Sequence, residues 1–155
     1  MCDITAILQL LEENHTRLCR FEAATQQMLT CPTHLLTEFA KQRQGLVEEL
    51  EGQQRKLEAL CSQQPDGEVV LAAAAAHGQA PDPTDPLYEV FAAALENRAV
   101  VNRLPESELQ AKQRLQLEQE QILKKIRATN QGAAAKASRF YAVGAAGGGT
   151  RLGNA

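Results

Sequence analysis

The chain has 155 residues, 44% of them hydrophobic, with 16 basic and 19 acidic side chains and a formal net charge of −3. That composition fits one domain, or a helical hairpin with attachments, and excludes a chain too polar to build a core. Trp is absent and aromatic residues make up 4%, while Gln, Glu, Leu and Ala dominate, which favours long helices over a β-sheet core.

Positions 4, 7, 11, 14, 18, 21, 25 and 28 alternate steps of three and four, and carry Ile4, Ile7, Leu11, Leu18, Phe21 and Met28, interrupted by Asn14 and Thr25. This heptad stripe predicts a helix that Asp3 caps at its N-terminus. A second stripe, at 36, 39, 43, 46, 50, 53, 57 and 60, carries Leu36, Phe39, Leu46, Leu50, Leu57 and Leu60, with Arg43 and Gln53 as exceptions. Pro32, in the short connection between the stripes, ends one helix and can begin the next, so the two are expected to be antiparallel neighbours of about 40 Å each. With Met28 facing Leu36, mirrored spacing sets Phe21 against Arg43, Asn14 against Leu50, Leu11 against Gln53 and Ile7 against Leu57. Arg43 then lies over the Phe21 ring or snorkels, while Asn14 and Gln53 need water or a third helix. Two helices bury too little apolar surface to offset the ordering of about sixty residues, so the hairpin needs further helices or a partner.

A short helix is expected from Glu68 to His77, with Gly78 at its C′ position. Pro81, Pro83 and Pro86 form a stiff linker, and Asp85-Pro86 reads as an N-cap and first helical residue. Leu87, Val90, Phe91, Leu95 and Val101 give a third amphipathic stretch that Pro105 is expected to interrupt, with a restart at Glu106 or Ser107. Between Leu109 and Ile126 the apolar residues Leu115, Leu117, Ile122, Leu123 and Ile126 crowd the C-terminal half, an incompletely buried stripe. The expected fold is therefore all-α: a long, coiled-coil-like antiparallel hairpin over 1–63, a short helix and Pro-rich linker over 64–86, further helices over 87–141, and a disordered Gly-rich tail over 142–155.

Chemistry is harder to find. The chain has no HExxH, GxSxG, Walker A, Rossmann or EF-hand pattern, and Gly147-Gly148-Gly149-Thr150 lacks the lysine that phosphate binding requires. The pairs Glu48-Glu49 and Glu118/Glu120 read as solvated helix faces. Neither an enzyme nor a cofactor is expected. Cys2, Cys19, Cys31 and Cys61 show neither CxxC nor zinc-finger spacing, and the expected state is reduced thiol. His15 and Cys19 share a helix face, with His34 beyond the turn; a metal site there competes with the plainer reading of packing or surface residues. No acidic residue follows Glu120, whereas Lys124, Lys125, Arg127, Lys136, Arg139 and Arg151 do. Such cations suit a helix C-terminus, and nucleic-acid binding would need a wider basic face. The longest apolar run, Val69 to Ala76, is too short for a bilayer, and Met1 to Gln9 has no leader pattern, so the chain is expected in the cytoplasm.

What remains is apolar surface on a helical frame, together with Phe140 and Tyr141 in a basic segment. Helix-in-groove recognition uses such anchors, and an aromatic pair can either dock in a partner or fold back on the bundle. The layout resembles the flagellar type III export chaperones of the FlgN and FliT kind. The resemblance lies in the hairpin ILQLLEENHTRLCRF and LLTEFAKQRQGLVEELEGQQRKLEAL, the later helix LQLEQEQILKKI, and the tyrosine before glycines in FYAVGAAGG, with Pro105 and the Pro-rich linker as departures. It implies that the protein binds C-terminal segments of hook-associated or filament-cap subunits and delivers them to the export gate or its ATPase. It also places Leu115, Leu117, Ile122, Leu123 and Ile126 in the client-binding part and assigns Tyr141 to docking at the gate. The other reading of the same stripe is a self-associating coiled-coil adaptor; a homodimer is compatible with both.

Overall fold

The computed structural model describes the backbone of residues 2–153 and the side chains of 2–136 and 138. Among the described residues there are four α-helices, α1 (Ile4–Thr30), α2 (Leu36–Ser62), α3 (Gly67–Ala74) and α4 (Leu87–Gly153), and no strand. The chain divides into two compact units, Met1–Arg114 and Leu115–Ala155.

In the first unit the expected hairpin forms. The Asp3 carboxylate accepts from the Ala6 N–H at 3.1 Å and so caps α1, satisfying a donor the first turn leaves free. At the other end Cys31 turns extended, Pro32 follows, and a single 3-10 turn at Thr33–Leu35 leads into α2. The predicted register holds at its most distinctive pair, for the Arg43 guanidinium lies 4.8 Å from the centre of the Phe21 ring. Ile7 and Leu57 share one buried cluster. The two polar exceptions are resolved differently. Gln53 Nε2 donates across the hairpin to Glu13 at 2.6 Å, whereas the buried Asn14 Oδ1 has no hydrogen-bond partner.

Helix α3 closes the open end of the hairpin, placing Val70, Ala73 and Ala74 in the core with Ile7, Leu57 and Cys61. Gly67 lets it start so close to α2, because a Cβ there would stand 2.9 Å from the Ser62 carbonyl oxygen. The helix stops earlier than the sequence suggests. His77 N–H donates to the Ala72 carbonyl at 2.9 Å and Ala76 N–H to the Ala73 carbonyl at 3.0 Å, which is a Schellman ending. The left-handed C′ residue is thus Ala76, at φ 53°, and not Gly78. The residue is 2% exposed, so packing offsets the strain of a left-handed alanine. In the linker, Asp82 accepts from the Thr84 N–H at 2.9 Å and its hydroxyl at 2.7 Å, and Asp85 accepts from the Leu87 N–H at 2.9 Å as the anticipated cap of α4.

The first part of α4 supplies the third helix that the hairpin lacked. Val90, Phe91, Ala94, Val100 and Ala111 are buried, while Leu95 and Val101, expected to be on the apolar face, are about half exposed. Polar ties then advance together along α4 and α1. Asn97 Nδ2 donates to the Leu11 carbonyl at 3.0 Å, both Arg103 Nε and Nη2 reach Glu22 at 2.9 Å, and Arg114 Nη1 donates to the Met28 carbonyl at 2.7 Å. Here α4 runs parallel to α1 and antiparallel to α2.

Pro105 does not interrupt α4, contrary to expectation. A proline removes the N–H that would bond the carbonyl four residues earlier, here that of Val101. Pro105 and Val101 are exposed, so water can hydrate the freed carbonyl. Arg103, paired with Glu22, and Glu108, paired with Arg43, hold the helix on the hairpin on both sides of the proline. In the second unit α4 continues as helix, and the described side chains at 119–136 are exposed. The tail over 142–155 lies outside the residues whose side chains are described. Among the described residues no helix is long and apolar enough to cross a membrane.

Replacing Pro105 by Ala restores a helical N–H, and unfolding in urea is expected to show a gain of about 1–2 kcal/mol, partly offset by the freer unfolded chain; an unchanged or lower midpoint contradicts the reading. The Arg103 guanidinium, by hydrogen bond and then by charge, holds the Glu22 carboxyl below its ordinary value of 4.5. A carboxylate lowered in the folded state contributes stability above its unfolded pKa and loses it as pH falls through the folded one. The stability difference between the native chain and Glu22→Gln should therefore be constant near neutrality and vanish as pH drops below 4.5, measured by thermal unfolding across that range.

Candidate protein-interaction surface

Leu117, Ile122, Leu123 and Ile126 are 50–57% exposed, and exposed aliphatic side chains that cluster mark interaction surfaces more than scattered ones do. Leu115 is half-buried. At about 100° per residue, Leu115, Ile122 and Ile126 fall within about 40° of arc, Leu123 stands about 60° beyond it, and Leu117 points to the far side. The helix brings Leu115, Ile122, Ile126 and the neighbouring Leu123 together, and leaves Leu117 apart. Glu118 and Lys125 border this arc on one side and Arg127 on the other. Phe140 and Tyr141, expected partner-binding residues, lie outside the described side chains, as does Gly147-Gly148-Gly149-Thr150.

A feature that the sequence did not reveal lies in the first unit, where a groove of about 580 Å³ runs between α2 and α4 over α1. Leu11, Leu18, Leu50, Leu57 and Val101 line it, with the Asn14 amide among them. The signal was present as the polar break at position 14 in an otherwise apolar stripe. Which helix would flank that break could not be read from periodicity.

The candidate metal ligands are otherwise engaged. His15 Nε2 meets Cys19 Sγ at 3.6 Å and its Nδ1 bonds Asn97 at 2.9 Å, while His34 is exposed beyond the turn. Among the described residues no three His, Cys, Asp or Glu side chains are grouped to hold a metal. The cysteines are free thiols. Burial, and then the nearby Cys2, push the Cys61 thiol up, which makes it a poorer nucleophile. Glu49 pairs with Arg17 at 3.1 Å, a surface ion pair. Apolar contact is what the described side chains offer most.

An unpaired buried carbonyl oxygen carries its full desolvation penalty. Asn14→Leu should consequently stabilise the first unit by about 1 kcal/mol in denaturant unfolding, with Leu filling groove space beside Leu11 and Leu18; a destabilised variant would show that the amide is satisfied. Compared with known protein families, curated proteins and solved structures, this chain matches none.

Proposed function

We propose that this protein is a non-enzymatic, cytoplasmic export chaperone that covers an amphipathic helix of its client with the stripe at Leu115, Ile122, Leu123 and Ile126. The observation that carries this reading is the exposure of Ile122, Leu123 and Ile126 in that stripe, since aliphatic side chains left in water at helical spacing are stabilised when another helix covers them. The client class, C-terminal helical segments of flagellar hook-associated or filament-cap subunits, follows from the resemblance in layout. So does delivery to the export gate or its ATPase, with Tyr141 as the docking residue. Covering the client's own apolar face would keep it from assembling early.

The test is calorimetric titration of the full chain with such C-terminal segments. A soluble complex is expected, and Ile122→Ser together with Ile126→Ser should weaken it by at least tenfold, because each loses about 1–3 kcal/mol of apolar contact. Leu117→Ser, on the far side of the helix, should bind as the native chain does. Absence of heat with every such segment, or equal binding by the double variant, rejects the proposal.

A further inference from the structure

We propose that Cys19 is a peroxide-reactive thiol, with His15 as its general base and Asn97 as the residue that positions the imidazole. The site lies between α1 and α4 within the first unit and does not depend on the client-binding stripe. His15 and Cys19 are one turn apart on α1, and His15 Nε2 stands 3.6 Å from Cys19 Sγ. On its other side the ring meets Asn97 Oδ1 through Nδ1 at 2.9 Å. The far end of that amide decides the tautomer. Asn97 Nδ2 donates to the Leu11 carbonyl at 3.0 Å, so the amide oxygen faces the ring and Nδ1 carries the proton. Nε2 is left as a bare acceptor, and it faces the thiol.

A nucleophile in contact with a base, which a third group orients in turn, is the arrangement that activates a weak nucleophile. The thiolate is the reacting form of cysteine, and here the imidazole takes the proton as sulfur attacks. Cys19 is half-buried, within reach of a small molecule, whereas Cys31 and Cys61 are buried. Cys2 is half-buried too, but its neighbour is Cys61. The His15 ring also lines a cavity of about 380 Å³, ample for a peroxide. The chemistry selects the electrophile. Acyl transfer needs donors preorganised around an oxyanion, and Arg103 is already joined to Glu22, one turn beyond Cys19. A peroxide needs only a nucleophile and a proton for the oxygen that leaves. Sγ bonds to one oxygen of hydrogen peroxide as the O–O bond breaks. The other oxygen departs with the electron pair and takes from Nε2 the proton that Nε2 took from sulfur. Sulfur is thereby oxidised and peroxide reduced: thiol and peroxide become sulfenic acid and water, and His15 returns to its starting state.

The test treats the reduced full chain with hydrogen peroxide, traps sulfenic acid with dimedone, and measures the adduct at each cysteine by mass spectrometry. At neutral pH Cys19 is expected to be labelled about tenfold faster than Cys2 or more, with Cys2 as the control inside the same molecule. His15→Gln removes the base and should bring Cys19 down to the rate of Cys2 without changing Cys2. Asn97→Ala frees the imidazole and should slow Cys19 several-fold. Asn97→Asp keeps an acceptor for Nδ1 and should restore much of the native rate. Aspartate cannot donate to the Leu11 carbonyl, so a purely structural role for Asn97 would not be rescued by it. Labelling of Cys19 no faster than that of Cys2 in the native chain overturns the proposal whatever the variants do, and so does a Cys19 rate that His15→Gln leaves unchanged.

Discussion

The fold of the first unit turns on Arg43. Its guanidinium lies over the Phe21 ring of α1, donates to Met28 Sδ at 3.4 Å, and pairs with Glu108 of α4. Three helices meet at one side chain that is 12% exposed. A charge so placed contributes little net stability, because desolvation cancels much of the attraction. It restricts geometry instead, since sliding α2 by one turn would take the guanidinium off its ring and leave Glu108 without that partner. The aliphatic rows alone would tolerate such a slip, Leu for Leu.

The other polar contacts extend that restriction along the bundle. The Asp3 N–H donates to Gln64 at 2.7 Å and ties the start of α1 to the end of α2. Arg98 donates to the Ala76 carbonyl at 2.9 Å, anchoring the turn after α3. Arg114 caps the C-terminal end of α1 by donating to the Met28 and Cys31 carbonyls, two groups that the helix end leaves without intrahelical partners. Apolar burial supplies the drive to collapse, and these directional contacts select one register.

For function, the consequential contrast is between two kinds of apolar row. In Met1–Arg114 the rows of α1 and α2 end up covered by each other, by α3 and by α4, leaving the groove beside Asn14. In the second unit a row of the same chemistry stays in water and is bordered by charges of both signs. The first pattern makes a scaffold. The second fits recognition of another helix, whether from a client or a second copy.

By itself the sequence determined the all-helical class, the antiparallel hairpin, its register at Phe21 and Arg43, the Asp3 and Asp85 caps, and the exposure of Ile122, Leu123 and Ile126. Each follows from local periodicity or from a side chain bonding its own neighbours, and such effects need only a few residues of context. Tertiary structure decided what distant groups do. Pro105 stays inside a helix because Glu22 and Arg43 hold the segments on either side of it, and Ala76 accepts a left-handed backbone because the core buries it. The partners of Gln53 and Asn97, and the unpaired Asn14 oxygen, likewise depend on which surfaces meet, and periodicity carries no information about that.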